Sequence, residues 1–111
     1  MTHPIVRLMT VNDRAAVVEL LVDADPWKRL GYQAKDWDSY FTPLPQGRDS
    51  FVVEQDGRVA GIAVVRQKFL LGDYLELLGV ADWARGKGLG GQLLNHVEEA
   101  VFARGKNLFA C

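Results

Sequence analysis

The stretch RGKGLGG, residues 85–91, places four glycines and two cations directly before a segment with helical periodicity. The first N–H groups of a helix have no partner inside the helix, and the helix dipole favours negative charge at that end. Glycine also lets a bulky anion approach the backbone, because it has no Cβ atom. We interpret the stretch as a loop that binds a phosphate or pyrophosphate; a plain turn, the alternative, does not account for Arg85 and Lys87.

Two common nucleotide-binding motifs fit this loop poorly. A Walker loop requires Ser or Thr after its lysine to reach magnesium, but Lys87 is followed by Gly88. The dinucleotide fingerprint G-x-G-x-x-G matches residues 86–91, but it requires a preceding parallel strand and an acidic residue about 20 positions further on. Residues 106–111 contain no carboxylate, and the preceding strands are predicted to be antiparallel. Neither motif is therefore supported.

The segments that flank the loop predict a strand, a helix and a second strand. Tyr74–Val80 is apolar and strand-like, and Gly88–Arg104 carries an apolar stripe at helical spacing. Gly105 is well placed to end that helix, and Asn107–Cys111 begins a further apolar segment. Such a unit is expected to cross over right-handed, with its two strands parallel.

The earlier residues complete the predicted order of elements. Ile5–Met9 is interpreted as a strand that is followed by two helical segments. Phe51–Gln55 and Val59–Arg66 then form a hairpin around Asp56-Gly57, the strongest turn signal in the chain. The order β-α-α-β-β-β-α-β in one domain predicts an α+β fold with a mostly antiparallel sheet.

Composition and charge narrow the class of function. The 111 residues are 49% apolar and 24% charged, as in ordinary globular domains. A net charge of -1 provides no field for a polyanion, so we expect neither nucleic acid nor membrane as a partner. No apolar run is long enough to cross a bilayer and no secretory signal is recognised, so a cytoplasmic location is expected. With two histidines and one cysteine, Cys111, no metal site is predicted.

The pattern R-x-x-G-x-G, filled by Arg85, Gly88 and Gly90, resembles the GNAT superfamily of acyl-CoA-dependent N-acyltransferases. The resemblance includes the strand YLELLGV before the loop, the helix after it and the order of the earlier elements, and it covers essentially all 111 residues. It implies an α/β/α sandwich around a twisted sheet. It also implies transfer of an acetyl group from acetyl-CoA to a primary amine of a small molecule or a peptide.

The resemblance further implies how acetyl-CoA, the co-substrate, is bound. Backbone N–H groups of the loop would hold the pyrophosphate, and the pantetheine arm would lie beside the end of the preceding strand, where the strands of this family splay apart. The implied pyrophosphate-binding residues are Arg85, Gly86, Lys87, Gly88, Leu89, Gly90 and Gly91. The implied pantetheine-binding residues are Leu78, Gly79 and Val80.

Glu76 is the candidate catalytic base, because several family members carry a glutamate four residues before the position of Val80. A carboxylate is suited to remove a proton from the attacking amine. Strand alternation predicts that Glu76 lies on the same face as Leu78 and Val80. The alternative is a solvent-facing glutamate, or one that is paired with a nearby cation.

Two further groups of residues lie where the family places its acceptor. The acidic group is Asp23, Asp25, Asp36 and Asp38, and the aromatic group is Trp27, Tyr32 and Trp37. The acidic group could attract a cationic amine, or it could simply lie on solvated helix faces. The aromatic group could line an acceptor cleft, or it could simply pack in the core.

The sequence departs from the family's pattern at its end. Family domains usually continue past the strand that begins at Asn107 with a helix and a closing hairpin, and the usual general acid, a tyrosine, lies there. We therefore expect residues 1–111 to form one domain without that helix and hairpin; Tyr32, Tyr40 and Tyr74 do not match the acid. Open sheet edges then predict self-association, as a homodimer or otherwise. The alternative to an active enzyme is a catalytically impaired module that binds acyl-CoA or that serves in dimerisation.

Overall fold

The fold is that of a computed structural model, which describes residues 3–24, 27–44, 47–69, 72–103 and 108–110. Its helices and strands are β1 (Ile5–Leu8), α1 (Arg14–Val22), α2 (Ala34–Tyr40), β2 (Arg48–Gln55), β3 (Arg58–Phe69), β4 (Gly72–Val80), α3 (Leu89–Ala103) and β5 (Leu108–Ala110). This order confirms the predicted succession of elements and the α+β class. The predicted helix end at Gly105 and the cysteine at position 111 lie outside the described residues.

The described strands form one sheet in the order β1-β2-β3-β4-β5. The pairings from β1 to β4 are antiparallel, which confirms the predicted hairpin between β2 and β3. At its turn, Asp56 and Gly57 have φ angles of 55° and 77°, as a tight hairpin turn requires. β4 and β5 pair in parallel over Asp73–Leu75 of β4, so the expected strand-helix-strand unit is confirmed.

Helices cover both faces of the sheet, as in the predicted α/β/α sandwich. On one face, α1 and α2 contribute Val17, Leu21 and Trp37 to an apolar core with the inward side chains of β2, β3 and β4. On the other face, α3 contributes Leu93 and Val97 to a second core. Burial of each such side chain contributes about 1.5–3 kcal/mol. The second core includes Leu89 and contacts Val80, and so holds the start of α3 close to the end of β4.

A β-bulge at Glu76 interrupts the pairing of β3 with β4. Val65 pairs with Leu75 and Val64 pairs with Leu77, so Glu76 is an extra residue opposite the β3 ladder. A bulge bends the strand and increases its local twist. The second half of β4 is therefore turned relative to the first half.

The bulge also changes the face on which Glu76 lies. Glu76 contacts Tyr40 on the α1 and α2 side of the sheet, whereas Val80 packs against the core beneath α3. Leu78 pairs with Ala63, which belongs to that same α3-side core. The expectation that Glu76 shares a face with Leu78 and Val80 is therefore wrong, because the inserted residue shifts the alternation of the strand.

Arg7 connects three segments at the first edge of the sheet. Its guanidinium donates to Asp13 (Nη1–Oδ2 2.7 Å, Nη2–Oδ1 2.9 Å) and to Glu54 of β2 (Nε–Oε2 2.7 Å). Asp13 is only 7% exposed and also accepts a hydrogen bond from the backbone N–H of Thr10 (2.8 Å). The hydrogen bonds from Arg7 hold the pKa of Asp13 at about 2, although burial acts in the opposite direction. The network fixes β1 to the turn that precedes α1.

Replacement of Asp13 by Asn should lower the free energy of unfolding by about 2 kcal/mol at neutral pH, because a paired and buried charge is removed. The stabilisation from Asp13 is fully present above its ordinary pKa of 3.8 and is lost as the pH falls towards 2, so wild type and variant should converge there. Urea denaturation followed by circular dichroism at a series of pH values measures this difference.

The matched control is Asp38→Asn, which removes a carboxylate that is 63% exposed and 3.6 Å from Arg14. This change should cost less than about 0.5 kcal/mol, because exposed ion pairs contribute little to stability. Equal losses in the two variants would contradict the role assigned to the Arg7 network.

Candidate functional site

The glycine loop joins β4 to α3 through a short 3-10 turn, Asp82–Ala84. Gly86 and Gly88 have φ angles of 79° and 73°, in the left-handed region that favours glycine. Ala84 and Leu89, which flank these glycines, are buried in the core beneath α3. The loop is therefore anchored at both ends, while the residues between its anchors are exposed.

The glycines leave a cradle of accessible backbone N–H groups. A Cβ atom at Gly86, Gly88 or Gly91 would meet no protein atom within 4 Å, so these positions face open space. The N–H of Gln92 donates to the carbonyl oxygen of Gly88 (3.1 Å) in the first turn of α3, and the N–H groups before it have no partner within the helix. The dipole of the 15-residue helix favours an anion at this end, as the predicted pyrophosphate site requires.

Two cations flank the cradle. Arg85 and Lys87 are both exposed, and the Nε atom of Arg85 lies 3.2 Å from an Asp82 carboxylate oxygen. On the inner side, a Cβ atom at Gly90 would lie 3.6 Å from Val80 Cγ2, an ordinary contact distance. The predicted loop residues are thus brought together at one place, next to the end of β4.

The end of β4 presents backbone groups at an edge of the sheet. The N–H of Ala81 donates to the carbonyl oxygen of Ala60 beside β3 (2.8 Å), and strand hydrogen bonds alternate in direction with a period of two residues. The N–H and C=O groups of Leu78 and Val80 therefore point away from β3. In the described part of the chain, pairing of β4 with β5 ends at Leu75. An extended ligand can align with these backbone groups.

Gly79 has a packing role in this strand. A Cβ atom at Gly79 would approach Cδ2 of Leu21, on α1, to 3.0 Å. This distance is shorter than most carbon–carbon contacts, so a larger residue at this position would require the Leu21 side chain to move. Its part in pantetheine binding stays a prediction, since the alternation directs its own backbone groups towards β3.

Glu76 is contacted by three polar side chains. The Tyr40 hydroxyl donates to Oε2 (2.5 Å), while Arg48 donates through Nε to Oε2 (2.5 Å) and through Nη2 to Oε1 (3.2 Å). The Nη2 atom of Arg66 lies 3.3 Å from Oε1, and the Glu76 side chain is 22% exposed. We name these four residues, Tyr40, Arg48, Arg66 and Glu76, the bulge cluster.

The cluster keeps Glu76 ionised. Burial acts to raise the pKa of its carboxyl group, but the hydrogen bonds from Arg48 and Tyr40 outweigh burial and leave the pKa below its ordinary value. Burial and the hydrogen bond to Glu76 raise the pKa of the Tyr40 hydroxyl, which therefore stays protonated near neutral pH. Pairing with a cation was the alternative interpretation of Glu76, and the structure contains such pairs; whether Glu76 is also catalytic stays a prediction.

Sequence reasoning missed the partners of Glu76. Tyr40 and Arg48 lie 36 and 28 positions away in the chain, and strand β2 begins at Arg48, before its predicted start at Phe51. The polar residues at the start of β2 carry no apolar strand signal. Once the hairpin is in place, Arg48 lies opposite Arg66. Two positive charges directly opposite each other on neighbouring strands repel, so this pairing indicates a nearby carboxylate that interacts with both arginines.

The acidic and aromatic groups near α2 have structural roles in the described residues. Asp36 caps α2 by accepting from the backbone N–H of Gln33 (2.8 Å), and Asp38 pairs with Arg14. Trp27, Tyr32 and Trp37 pack on one another with ring centroids 5.3–6.0 Å apart, and Trp37 is 6% exposed. Asp25 lies outside the described residues. The simpler interpretations of helix capping and core packing therefore account for most of these residues.

A cleft of about 400 Å³ opens between α1 and the turn that joins β2 to β3. It is lined by Arg7, Asp13 and Glu54, which pair with one another, and by Arg58, whose guanidinium lies 4.1 Å from the ring centre of Trp83. Asp23 of the predicted acidic group is among its lining residues, whereas Glu76, residues 78–80 and residues 85–91 are not.

A model of the acetyltransferase (GNAT) family matches residues 14–111. The chain belongs to the GNAT acetyltransferase family. Membership confirms the resemblance on the glycine loop and implies acyl transfer from acetyl-CoA. No curated protein sequence gives a significant match.

Solved structures share this GNAT fold at low sequence identity. A transcriptional regulator from Bacillus halodurans C-125 superposes with a TM-score of 0.81 at 20% identity. The match covers 97% of this chain and 80% of the regulator's chain. The ribosomal-protein-S18-alanine N-acetyltransferase from Escherichia coli gives 0.80 at 19%, with coverages of 97% and 66%. A GNAT family acetyltransferase from Elizabethkingia anophelis with acetyl-CoA bound gives 0.69 at 21%, with coverages of 96% and 63%. The GNAT chain described here spans somewhat under two thirds of the length of the last two.

The described residues contain no group of three or more metal-ligating side chains. Among the described helices, none is both long and apolar enough to cross a membrane.

Replacement of Gly88 by Glu should weaken binding of coenzyme A at least about 100-fold, because the side chain enters the cradle and its charge repels a pyrophosphate. Calorimetric titration with coenzyme A measures the loss. Gly57→Glu is the matched control, because Gly57 has a similar φ of 77° and also faces open space, but lies in the β2–β3 turn. Both variants carry the same backbone strain, so a similar loss in both would argue against a pyrophosphate site in the loop.

Proposed function

We propose that this chain is an N-acetyltransferase that transfers the acetyl group of acetyl-CoA to a primary amine of a small molecule or a peptide. The observation that carries the proposal is the glycine cradle at the start of α3, directly beside the open edge of β4. Family membership supports the donor, and the geometry of the loop supports its place of binding. The described strands and helices would act as one acyltransferase domain.

The donor would be held by backbone groups more than by side chains. N–H groups of Gly86 to Gly91 would bind the pyrophosphate, with Arg85 and Lys87 adding positive charge from the rim. The N–H and C=O groups of Leu78 and Val80 point to the edge of β4, where they could pair with amides of the pantetheine arm. The donor would then lie along β4 like an added strand.

Bound acetyl-CoA supplies an activated acyl group: the amine nitrogen forms a C–N bond to the thioester carbonyl carbon, the C–S bond breaks, and coenzyme A leaves as a thiolate that takes a proton from solvent. The chain has to position the acceptor and take up the proton that the amine loses. Glu76 is the proposed base, acting directly or through a water molecule. Its ion pairs with Arg48 and Arg66 weaken it as a base, so we expect a contribution near the lower end of the usual range, about 100-fold.

Partners and location complete the proposal. Edge strand β1 exposes Ile5 and Leu8, which are 58% and 60% exposed, and this supports self-association as a homodimer or otherwise. Nucleic acid and membrane are not proposed as partners, because the net charge of -1 offers no polyanion attraction. A cytoplasmic location is part of the same proposal.

A second candidate is a module that binds acyl-CoA without efficient turnover. The specific observation in its favour is the bulge cluster, in which Glu76 already has three partners and a lowered pKa. Both candidates require the donor site, so they differ only in what Glu76 does.

Calorimetric titration with acetyl-CoA should show saturable binding by the wild-type chain. Desulfo-CoA, which keeps the pantetheine arm, should bind with similar affinity, whereas ATP, which lacks the arm, should bind at least about tenfold more weakly. Equal affinity for ATP would mean that the edge of β4 contributes nothing, and a complete lack of binding would overturn the proposed donor site.

Replacement of Glu76 by Gln should lower kcat about 100-fold and leave the Kd of acetyl-CoA within about threefold of wild type. The control Glu99→Gln changes an exposed carboxylate on α3 and should leave both values unaltered. In wild type, any loss of kcat/KM that is due to protonation of Glu76 should occur below pH 4.5, because its pKa is lowered from that value. Unchanged turnover in Glu76→Gln would exclude Glu76 as the base.

A further inference from the structure

The hydroxyl of Tyr40 is held in place by the packing of its ring. Tyr40 is the last residue of α2, and its ring makes edge-to-face contacts with Trp37 and Phe41, whose ring centroids lie 6.2 and 4.8 Å away. Trp37 is 6% exposed and Phe41 is fully buried. Close packing of this kind restricts the rotamers of a side chain. The end of α2 therefore directs the Tyr40 hydroxyl at one point, the Oε2 atom of Glu76.

The two carboxylate oxygens of Glu76 are bound unequally. Oε2 accepts two short hydrogen bonds, from the Tyr40 hydroxyl and from Nε of Arg48, both at 2.5 Å. Oε1 has longer contacts, 3.2 Å to Nη2 of Arg48 and 3.3 Å to Nη2 of Arg66. A carboxylate oxygen has about two lone-pair sites. Both sites of Oε2 are thus filled, whereas the contacts of Oε1 are at the outer limit of hydrogen bonding.

The surroundings of the two oxygens differ in the same direction. Oε2 adjoins the partly buried Tyr40, while Oε1 adjoins Arg66, whose side chain is 40% exposed. Burial and the hydrogen bond to Glu76 raise the pKa of Tyr40, so its hydroxyl keeps its proton near neutral pH and donates it to Oε2 in a hydrogen bond. A proton that reaches Glu76 from another molecule is therefore accepted more readily at Oε1.

We propose that Tyr40 is a positioning residue, whose hydroxyl fixes Oε2 of Glu76 and thereby presents Oε1 as the atom that takes the proton of the attacking amine. The inference rests on the proposed function, in which Glu76 is the base. The proton passes from the amine nitrogen to Oε1 as the C–N bond forms, and the carboxyl group then releases it to solvent. Tyr40 neither gains nor loses a proton. Without its hydroxyl, the carboxylate would lose one of two short restraints on a terminal torsion that is intrinsically broad, and would be less well aligned for transfer.

Replacement of Tyr40 by Phe removes the hydroxyl and keeps the packed ring. With ethanolamine and trialanine as acceptor probes and acetyl-CoA at saturation, kcat should fall about tenfold, while the Kd of acetyl-CoA stays within about threefold of wild type. The hydrogen bond from Tyr40 lowers the pKa of Glu76, so its loss makes Glu76 a stronger base. An effect on basicity alone would therefore raise kcat, whereas loss of positioning lowers it.

The matched control is Thr10→Val, which removes another hydroxyl that donates to a carboxylate, that of Asp13 (Oγ1–Oδ2 3.2 Å). This control should leave kcat unaltered, since Asp13 belongs to the Arg7 network at the first edge of the sheet. A second comparison places Tyr40→Phe in the Glu76→Gln background. A residue that acts through Glu76 has no further effect once the base is absent, so the double variant should have the kcat of Glu76→Gln.

A carbon-13 NMR titration of the Glu76 carboxyl group, identified by its absence in Glu76→Gln, gives a readout that does not require turnover. The pKa of Glu76 should be higher in Tyr40→Phe than in wild type, and circular dichroism checks that the variant is folded. The inference is overturned if this pKa does not rise, if kcat is unchanged or raised in Tyr40→Phe, or if the loss persists in the Glu76→Gln background. Unchanged turnover in Glu76→Gln would overturn the proposed base and this inference together. A loss in Glu76→Gln without one in Tyr40→Phe removes only this inference.

Discussion

The β-bulge at Glu76 determines which side of the sheet each later residue of β4 faces. In a regular strand without a bulge, and with Leu78 and Val80 in their present positions, Glu76 would lie on their face beneath α3, in an apolar core where an ionised carboxylate is costly. With the bulge, Glu76 lies on the α2 side and within reach of Arg48 and Arg66. The loop after β4 and the backbone direction of its last residues follow from the same change in alternation. The orientation of the edge of β4 and the position of the bulge cluster thus both depend on the β-bulge at Glu76.

The glycine loop depends on a different constraint, the close packing of α3 and β4. Leu89 is buried at the start of the helix and Ala84 just before the loop, so the glycines between them need no side-chain contacts to stay in place. Burial of Ala84 and Leu89 in the core thus stabilises a loop whose backbone N–H groups face solvent. At Gly79, the absence of a side chain leaves room for Leu21 of α1 to pack against β4.

Much of this arrangement could be predicted from the sequence, since it depends on local patterns. Helical spacing from Leu89 onwards, the Asp56-Gly57 turn and the glycine loop each report on neighbouring residues, and the structure confirms the elements that they predict. The bulge could not be predicted, because YLELLGV has the same alternating appearance with or without an inserted residue. The bulge cluster was missed for a related reason: it joins Tyr40, Arg48 and Glu76 across long separations, and its position depends on strand register.

The alternation at the end of β4 has a consequence for how fast backbone protons exchange with solvent. The amide of Ala81 is bonded to Ala60, and by the same period that of Gly79 is directed into the sheet. The amides of Leu78 and Val80 face the open edge, so four consecutive residues alternate between protected and exposed protons. The amide protons of Leu78 and Val80 should therefore exchange rapidly with solvent, and more slowly when an extended ligand aligns with the strand. Hydrogen exchange at these two residues would then report whether the edge of β4 is occupied.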